Sequence, residues 1–143
     1  MTEENKRISR RILEEVFGQG DWATADELVA ADCVAHDSAA PEPHRGPEGL
    51  KQAAGGYRAA FGDLHVEVTT QLAEGDLVTT AWTASGTHTG DLFGVPASGA
   101  HASTSGITID RIEHGQIVES WTQWDALGLM QKIGAIPAPA MAH

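Results

Sequence analysis

The stretch Leu64-His-Val-Glu-Val-Thr-Thr-Gln-Leu72 decides the fold class, because the hydrophobic period of the chain changes there. Apolar residues and threonines alternate with polar or charged ones, and this period of two predicts a β-strand with one buried face. Glu74-Gly75-Asp76 then predicts a hairpin turn. Three more strands are expected downstream, over residues 77–88, 101–113 and 116–124, and His114-Gly115 joins the last two.

Upstream of Leu64 the hydrophobic period is that of helices. Residues 2–17 carry an apolar stripe at Ile8, Ile12 and Val16, which predicts the first helix. A second helix is expected after Asp21 and a third over 47–61. Cys33 to Asp37 reads as a short extended piece, 38–47 as a loop, and 126–133 as a last short helix.

The separation of helices from strands indicates an α+β fold. An antiparallel sheet covered on one face by helices is the natural packing, and a strongly curved sheet encloses a cavity beneath them. Gly55 and Gly56 interrupt the third helix, where each glycine costs about 1 kcal/mol. Close approach of a neighbour or a ligand is one reason to keep them there.

Composition excludes several classes of protein. The 143 residues fit one domain, residues 1–143, with 135–143 as a flexible tail. The net charge of −11 disfavours nucleic acid and anionic membranes as partners. No apolar run reaches the length of a membrane span, and the charged N-terminus lacks the core of a secretory signal, so a cytoplasmic location is expected. The single cysteine, Cys33, is expected to be buried.

Several short motifs occur in an order that is typical of one family. They are Cys33-Val-Ala-His-Asp37, Gly46-Pro-Glu-Gly-Leu50, Tyr57-Arg-Ala-Ala-Phe61, Ala73-Glu-Gly-Asp76, Gly86-Thr-His-Thr-Gly90, Phe93-Gly-Val-Pro96, Asp110-Arg-Ile-Glu-His-Gly-Gln-Ile-Val-Glu-Ser-Trp121 and Trp124-Asp-Ala-Leu-Gly-Leu129. In this order and spacing the chain resembles the SnoaL-like polyketide cyclase and ester cyclase family, within the NTF2-like (cystatin-like) superfamily.

The resemblance implies a cone-shaped fold, with a curved antiparallel sheet wrapped around three N-terminal helices. It also implies a dimeric protein without a cofactor, and an enclosed apolar pocket for an apolar or polycyclic carbonyl compound. Family enzymes close a polyketide ring by aldol condensation, with an aspartate late in the chain as acid and base. Close relatives assist hydroxylation, and other members of the superfamily only bind their ligands.

The chain departs from the family pattern at the catalytic aspartate. In the aldol cyclases this aspartate opens an Asp-Trp-Pro-Asp-like run, and a gapless alignment places it at Thr122. The second aspartate of the run falls at Asp125. Positions three apart in a strand point to opposite faces, so aldol cyclisation is in doubt.

Three residues are the candidates for catalysis. Asp125, between strand and helix and beside Trp121 and Trp124, is either an acid–base group of raised pKa or the N-cap of the last helix. His36 and His88 either face the pocket or satisfy structural hydrogen bonds. His36 and Asp37 are adjacent in a strand and therefore point to opposite faces.

Five aromatic residues are expected to shape the pocket or fill the core, and two or three of them to line the cavity. They are Tyr57, Phe61, Trp82, Trp121 and Trp124. The inner face of the late strands stays ambiguous, because Ile107 and Ile109 are odd-numbered whereas Val118 and Trp124 are even-numbered. No histidine spacing indicates a metal site, and no nucleophile elbow or dinucleotide motif occurs.

These observations favour a cofactor-independent acid–base enzyme of specialised metabolism, which takes part in cyclisation or hydroxylation. The alternative is a binding or accessory protein with the same pocket and no chemistry. A third hypothesis is an interaction module, since an apolar outer sheet face would also support a homodimer.

Overall fold

Helices at the start of the chain pack against one face of a six-stranded sheet, which confirms the α+β class. The computed structural model describes residues 2–137. Its helices are α1 (Thr2–Arg11), a π-helical segment (Ile12–Phe17), α2 (Trp22–Leu28), α3 (Gly46–Ala60) and α4 (Ala126–Lys132). Its strands are β1 (Val29–Asp37), β2 (His44–Arg45), β3 (His65–Glu74), β4 (Leu77–Thr87), β5 (His101–Glu113) and β6 (Gln116–Trp124).

The sheet has the strand order β2-β1-β6-β5-β4-β3 and is mixed rather than wholly antiparallel. The four long strands form antiparallel neighbours, as predicted, but β1 runs parallel to β6. This strand also begins at Val29, four residues before the expected Cys33. Irregular register between Val68 and Thr70 and between Arg111 and Ile112 marks bulges, which bend strands and increase their twist.

The first predicted helix divides into two helical types. Residues 2–11 are α-helical, and 12–17 widen into a π-helix. The predicted stripe of Ile8, Ile12 and Val16 is buried nonetheless, and the wider turn brings Leu13 into the same buried surface.

Two hydrophobic clusters hold the layers together. The larger joins α1, the π-helix and α2 to the sheet through residues that include Val16, Leu28, Val78 and Ile117. Cys33 belongs to this cluster, and burial raises the pKa of its thiol to about 11, so it is an inert core residue as predicted. The smaller cluster packs α4 under the other end of the sheet.

Three local predictions have different outcomes. The 38–47 loop contains the two-residue strand β2, and α3 begins at Gly46. No other described part of the chain lies within 4 Å of a side chain built at Gly55 or Gly56, so an intramolecular approach does not explain these glycines. Backbone bonds tie Ala135 and Ile136 to Met130, whereas 138–143, most of the expected tail, lie outside the described residues. Within 2–137, no helix is long and apolar enough to cross a membrane.

Candidate functional site

A cavity lies between the helices and the inner face of the sheet. Its volume is about 140 Å³, which is on the order of ten times the space that one water molecule requires. Most of its wall is apolar, and α1's π-helical extension, α3 and α4 contribute residues to it. The sheet supplies the polar part of the wall, from His36, Asp37, His44, Ser85, Thr104, Thr108, Asp110, Ser120 and Thr122.

Neighbouring strands arrange three of these polar side chains in one row. Asp37 of β1 pairs in register with Thr122 of β6, which pairs with Thr108 of β5. The indole Nε1–H of Trp82 donates to Thr108 Oγ1 at 3.0 Å, and the hydroxyls of Thr108 and Thr122 are bonded at 3.0 Å. The row therefore offers hydroxyl groups, oriented by an indole, to an oxygen atom of a ligand.

Asp37 lies at the end of this row among neutral donors. Its Oδ1 accepts bonds from Trp124 Nε1 and from the backbone N–H of Ala39, both at 2.9 Å. Its Oδ2 accepts a longer bond of 3.3 Å from the hydroxyl of Tyr57. Burial and the adjacent carboxylate raise the pKa of Tyr57, so its hydroxyl keeps its proton and donates it to Asp37.

Asp110 is the most deeply buried acid of the cavity wall, with an exposed fraction of 4%. Ser9 of α1 donates a 2.8 Å hydrogen bond to its Oδ2, and Ser120 of β6 is its cross-strand neighbour. Burial raises the pKa of Asp110 to about 6, although the two serine hydroxyls act to lower it. An acid with a pKa near 6 can both accept and return a proton at neutral pH.

Four of the five predicted aromatic residues line the cavity. Tyr57 and Phe61 project from α3 and its end, and Trp82 and Trp124 from β4 and β6. The rings of Tyr57 and Trp124 are perpendicular, with centroids 5.8 Å apart. Trp121 is absent from the lining drawn from residues 2–137, because alternation along β6 turns it to the outer face.

The outer face also holds the ring of His36. This ring stacks on Trp121 at 5.9 Å, and its Nε2 lies 2.9 Å from Glu119 Oε2. Glu119 is also bonded to Arg111 at 2.6 Å. His36 contributes to the cavity wall, but its imidazole is held in a charged cluster outside the cavity, opposite to Asp37 as alternation predicts.

The other two predicted catalytic residues lie away from the cavity. Asp125 is exposed and caps α4, since its Oδ1 accepts the backbone N–H of Gly128 at 2.9 Å. This geometry agrees with the capping alternative and does not support an acid–base role for Asp125. His88 is fully buried behind Phe61, where Nδ1 accepts the backbone N–H of Ser98 at 3.1 Å, so it fastens the 88–98 loop.

The structure instead brings together Asp37, Asp110, Thr108 and Thr122, none of which the sequence analysis selected as a site residue. Two sequence signals bear on the late residues. Thr122 is the position to which the resemblance aligns the family's catalytic aspartate, and the inner-face residues occupy alternate strand positions: 108 and 110 in β5, and 120, 122 and 124 in β6. Within residues 2–137, no group of three or more His, Cys, Asp or Glu side chains is arranged to hold a metal ion.

Comparison with known proteins identifies the same architecture in several solved structures. A candidate SnoaL-like polyketide cyclase from Jannaschia sp. CCS1 is 24% identical, with 95% of each chain covered and a TM-score of 0.86. AclR, a candidate hydroxylase from Streptomyces galilaeus, is 23% identical over 98% of this chain and 87% of its own, with a TM-score of 0.84. At these identities the likeness shows the fold alone, and it confirms the predicted NTF2-like class.

A third structure is more similar in sequence. IdmH, a candidate polyketide cyclase from Streptomyces antibioticus, is 30% identical over 91% of this chain and 98% of its own, with a TM-score of 0.78. No protein of curated function matches the chain. The family model for the SnoaL-like polyketide cyclases matches residues 7–133, so the protein belongs to the SnoaL-like polyketide cyclase family.

Proposed function

We propose that this protein is an acid–base enzyme of specialised, polyketide-type metabolism that acts on an apolar, carbonyl-bearing molecule in the cavity. Family membership and the relatives named cyclase and hydroxylase support this class of enzyme. The observation that carries the proposal is Asp110, a buried carboxyl on the cavity wall with a raised pKa. Freedom from a cofactor and a cytoplasmic location stay predictions.

Thr122 replaces the acid–base aspartate of the aldol cyclases, but Asp110 supplies a carboxyl on the same inner face of the sheet, and an aldol cyclisation is therefore the reaction that we propose. Asp110 as a carboxylate takes a proton from the carbon next to a carbonyl, and the resulting enolate attacks a second carbonyl of the same molecule. The new alkoxide then takes the proton back from the Asp110 carboxylic acid. Thr122 stands where the resemblance places the acid–base aspartate of aldol cyclases, and its hydroxyl is suited to donate a hydrogen bond to the enolate oxygen.

The first step of this reaction can be measured without the natural substrate. Neutral bicyclic and tricyclic aryl ketones are incubated with the protein in D₂O, and deuterium incorporation next to the carbonyl is followed by mass spectrometry. We expect exchange above the buffer rate with the native protein and its loss in Asp110→Asn. Exchange that is equally fast in Asp110→Asn would remove Asp110 from the reaction.

A non-catalytic binding protein is the second candidate, and one observation favours it. Ser9 of α1 donates a hydrogen bond to Asp110 of β5, so this carboxyl also anchors α1 to the sheet. A binding protein would retain ketones in the cavity, with a Kd measurable by quenching of Trp82 and Trp124 fluorescence, and would show no exchange with any of them.

The outer face of the sheet supports a homodimer. Ile107 and Ile109 of β5 are 50% and 36% exposed there, and Leu72 and Leu77 of the β3–β4 hairpin are 67% and 41% exposed. Water-exposed isoleucine and leucine side chains on one sheet face are stabilised when a second apolar surface covers them. A second copy of the chain offers the same surface, as a twofold interface requires.

Substituting Ile109 by lysine is therefore expected to convert a dimer to a monomer. The charged side chain would have to be buried without a partner at such an interface. Light scattering coupled to size-exclusion chromatography measures the mass. Leu127→Lys is the matched control, because Leu127 is 58% exposed on α4 and away from this sheet face. A monomeric native protein, or a dimer that survives Ile109→Lys, would contradict the proposal.

A further inference from the structure

Asp37 is a carboxylate that no described basic side chain neutralises. Its three hydrogen bonds come from a backbone amide, an indole and a phenol, all of them uncharged. Among residues 2–137, no Lys, Arg or His nitrogen lies within 4.0 Å of its oxygens. Hydrogen bonds from neutral donors bring no positive charge to this carboxylate.

Two aromatic side chains of the cavity wall, Tyr57 and Trp124, contact this charge. The ring of Tyr57 is perpendicular both to that of Trp124, at 5.8 Å, and to that of Phe93, at 6.1 Å. Tyr57 and Trp124 line the cavity, and both bond to Asp37. The faces of aromatic rings attract cations, and a carboxylate among such rings is the combination that recognises an alkylammonium group.

The remainder of the wall does not favour an anion. The described lining of the cavity contains no lysine and no arginine, and its second acid is Asp110. Its two basic side chains are His36, whose ring is paired with Glu119, and His44 of β2. The chain as a whole carries a net charge of −11. An acidic protein with an acidic cavity repels anionic ligands and attracts cationic ones.

We infer that the substrate carries a protonated amine, which docks on Asp37 between Tyr57 and Trp124. The inference rests on the proposed function in one respect, that the cavity receives the substrate.

Strand geometry also sets the position of the amine in the substrate molecule. Asp37 and Asp110 are two strands and two residues apart, so their Cα atoms are separated by roughly 12 Å. We therefore expect the ammonium group and the reacting carbon of the substrate to lie at opposite ends of a molecule that spans the distance between Asp37 and Asp110.

Three probes with one ring system test this inference by binding alone. They are 2-naphthylmethylamine, 2-naphthylmethanol and 2-naphthoate, measured by calorimetry at pH 7.5 and low salt. We expect the amine to bind about ten- to hundredfold more tightly than the alcohol, the increment of one charge-assisted hydrogen bond, and the naphthoate to bind most weakly. Equal affinity for amine and alcohol would overturn the inference, and this comparison needs no variant.

Substitution then locates the cation. Asp37→Asn is expected to abolish the preference for the amine, read as the ratio of the Kd of the alcohol to the Kd of the amine. Asp125→Asn removes a negative charge outside the cavity and is the matched control, expected to keep the preference. An amine preference that persists in Asp37→Asn would mean that the overall charge selects the amine. Because binding is measured without turnover, this result and the deuterium exchange that tests Asp110 fail independently.

Discussion

Replacing Asp110 with asparagine is expected to make the protein more stable at pH 8 and to lower its turnover by about 10²–10⁴-fold. The loss of turnover follows from removing the group that transfers the proton. The gain in stability follows from the burial of the carboxyl, which is 4% exposed and has a pKa raised to about 6. A residue that only anchored α1 to the sheet would have the opposite effect on stability.

The sign of the stability change depends on which state binds the proton. In the unfolded chain Asp110 ionises near its ordinary pKa of 3.8, whereas the folded protein keeps the proton until about pH 6. Between these values the folded state holds more protons, so this group makes the free energy of unfolding decrease as the pH rises. Above pH 6 the loss of unfolding free energy that the buried carboxylate causes no longer changes with pH, and it is on the order of 3 kcal/mol.

Asparagine titrates at no pH in this range and can still bond to Ser9. The difference in unfolding free energy between Asp110→Asn and the native protein should therefore increase from about pH 4 to pH 6 and then stay constant. Urea denaturation at a series of pH values measures it. The lowered pKa of Glu15 and of Asp63 contributes equally to both proteins, so these groups cancel in the difference.

Two control variants separate the chemistry of Asp110 from its packing. Ser9→Ala removes the 2.8 Å bond but keeps the carboxyl, so it should destabilise the protein by about 1–3 kcal/mol and raise the pKa of Asp110 further. Asp125→Asn keeps a side-chain cap on α4, because asparagine caps helices about as well as aspartate, and it should leave both stability and turnover nearly unchanged. An Asp110→Asn protein that is less stable than the native one at pH 8 would contradict this assignment.

Strand β5 explains why the site itself was not predictable. Ile107 and Ile109 are exposed to solvent, whereas the alternate residues Thr108 and Asp110 are buried, with exposed fractions of 7% and 4%. The usual rule, apolar side chains inward, assigns this strand the wrong face. The rule fails because the inner face is the wall of a cavity that presents polar groups, and the outer face is apolar. Only the pairing of β5 with β4 and β6 fixes which face is inner.

Local signals were more informative than long-range ones. The stripe of α1, the turn before Leu77 and the capping position of Asp125 each depend on residues within a few positions in the chain, and the structure has all three. The bond of Ser9 to Asp110 joins residues 101 positions apart. A contact of that kind forms only when the sheet brings the two segments together, and no spacing in the sequence encodes it.

Gly106 is the position where a single methyl group is expected to disturb the cavity wall most. It lies in the middle of β5, in register with both Trp82 and Trp124. A Cβ atom there would lie 2.5 Å from Cζ2 of the Trp82 indole and 2.7 Å from Cβ of Trp124. Carbon atoms pack at about 3.5–4.0 Å, so the glycine leaves the space that the indole of Trp82 occupies.

Gly106→Ala is therefore expected to lower the free energy of unfolding by about 2–4 kcal/mol, since it overpacks the wall and displaces the indole from Thr108. Thr108 would then lose the donor that orients it toward Thr122, and binding of neutral ketones should weaken together with stability. Urea denaturation and tryptophan fluorescence measure the two effects.

Gly55→Ala in α3 is the matched control for the Gly106 substitution. Among residues 2–137, no atom outside the backbone of α3 lies within 4 Å of a Cβ built at Gly55, and alanine is the better helix former by about 1 kcal/mol, so this variant should gain stability. The two substitutions add the same methyl group, one in an open helix position and one in a crowded strand position. If Gly106→Ala has the stability and the fluorescence spectrum of the native protein, the Trp82 indole does not pack across β5. In that case Trp82 is not the donor that orients the hydroxyls of Thr108 and Thr122.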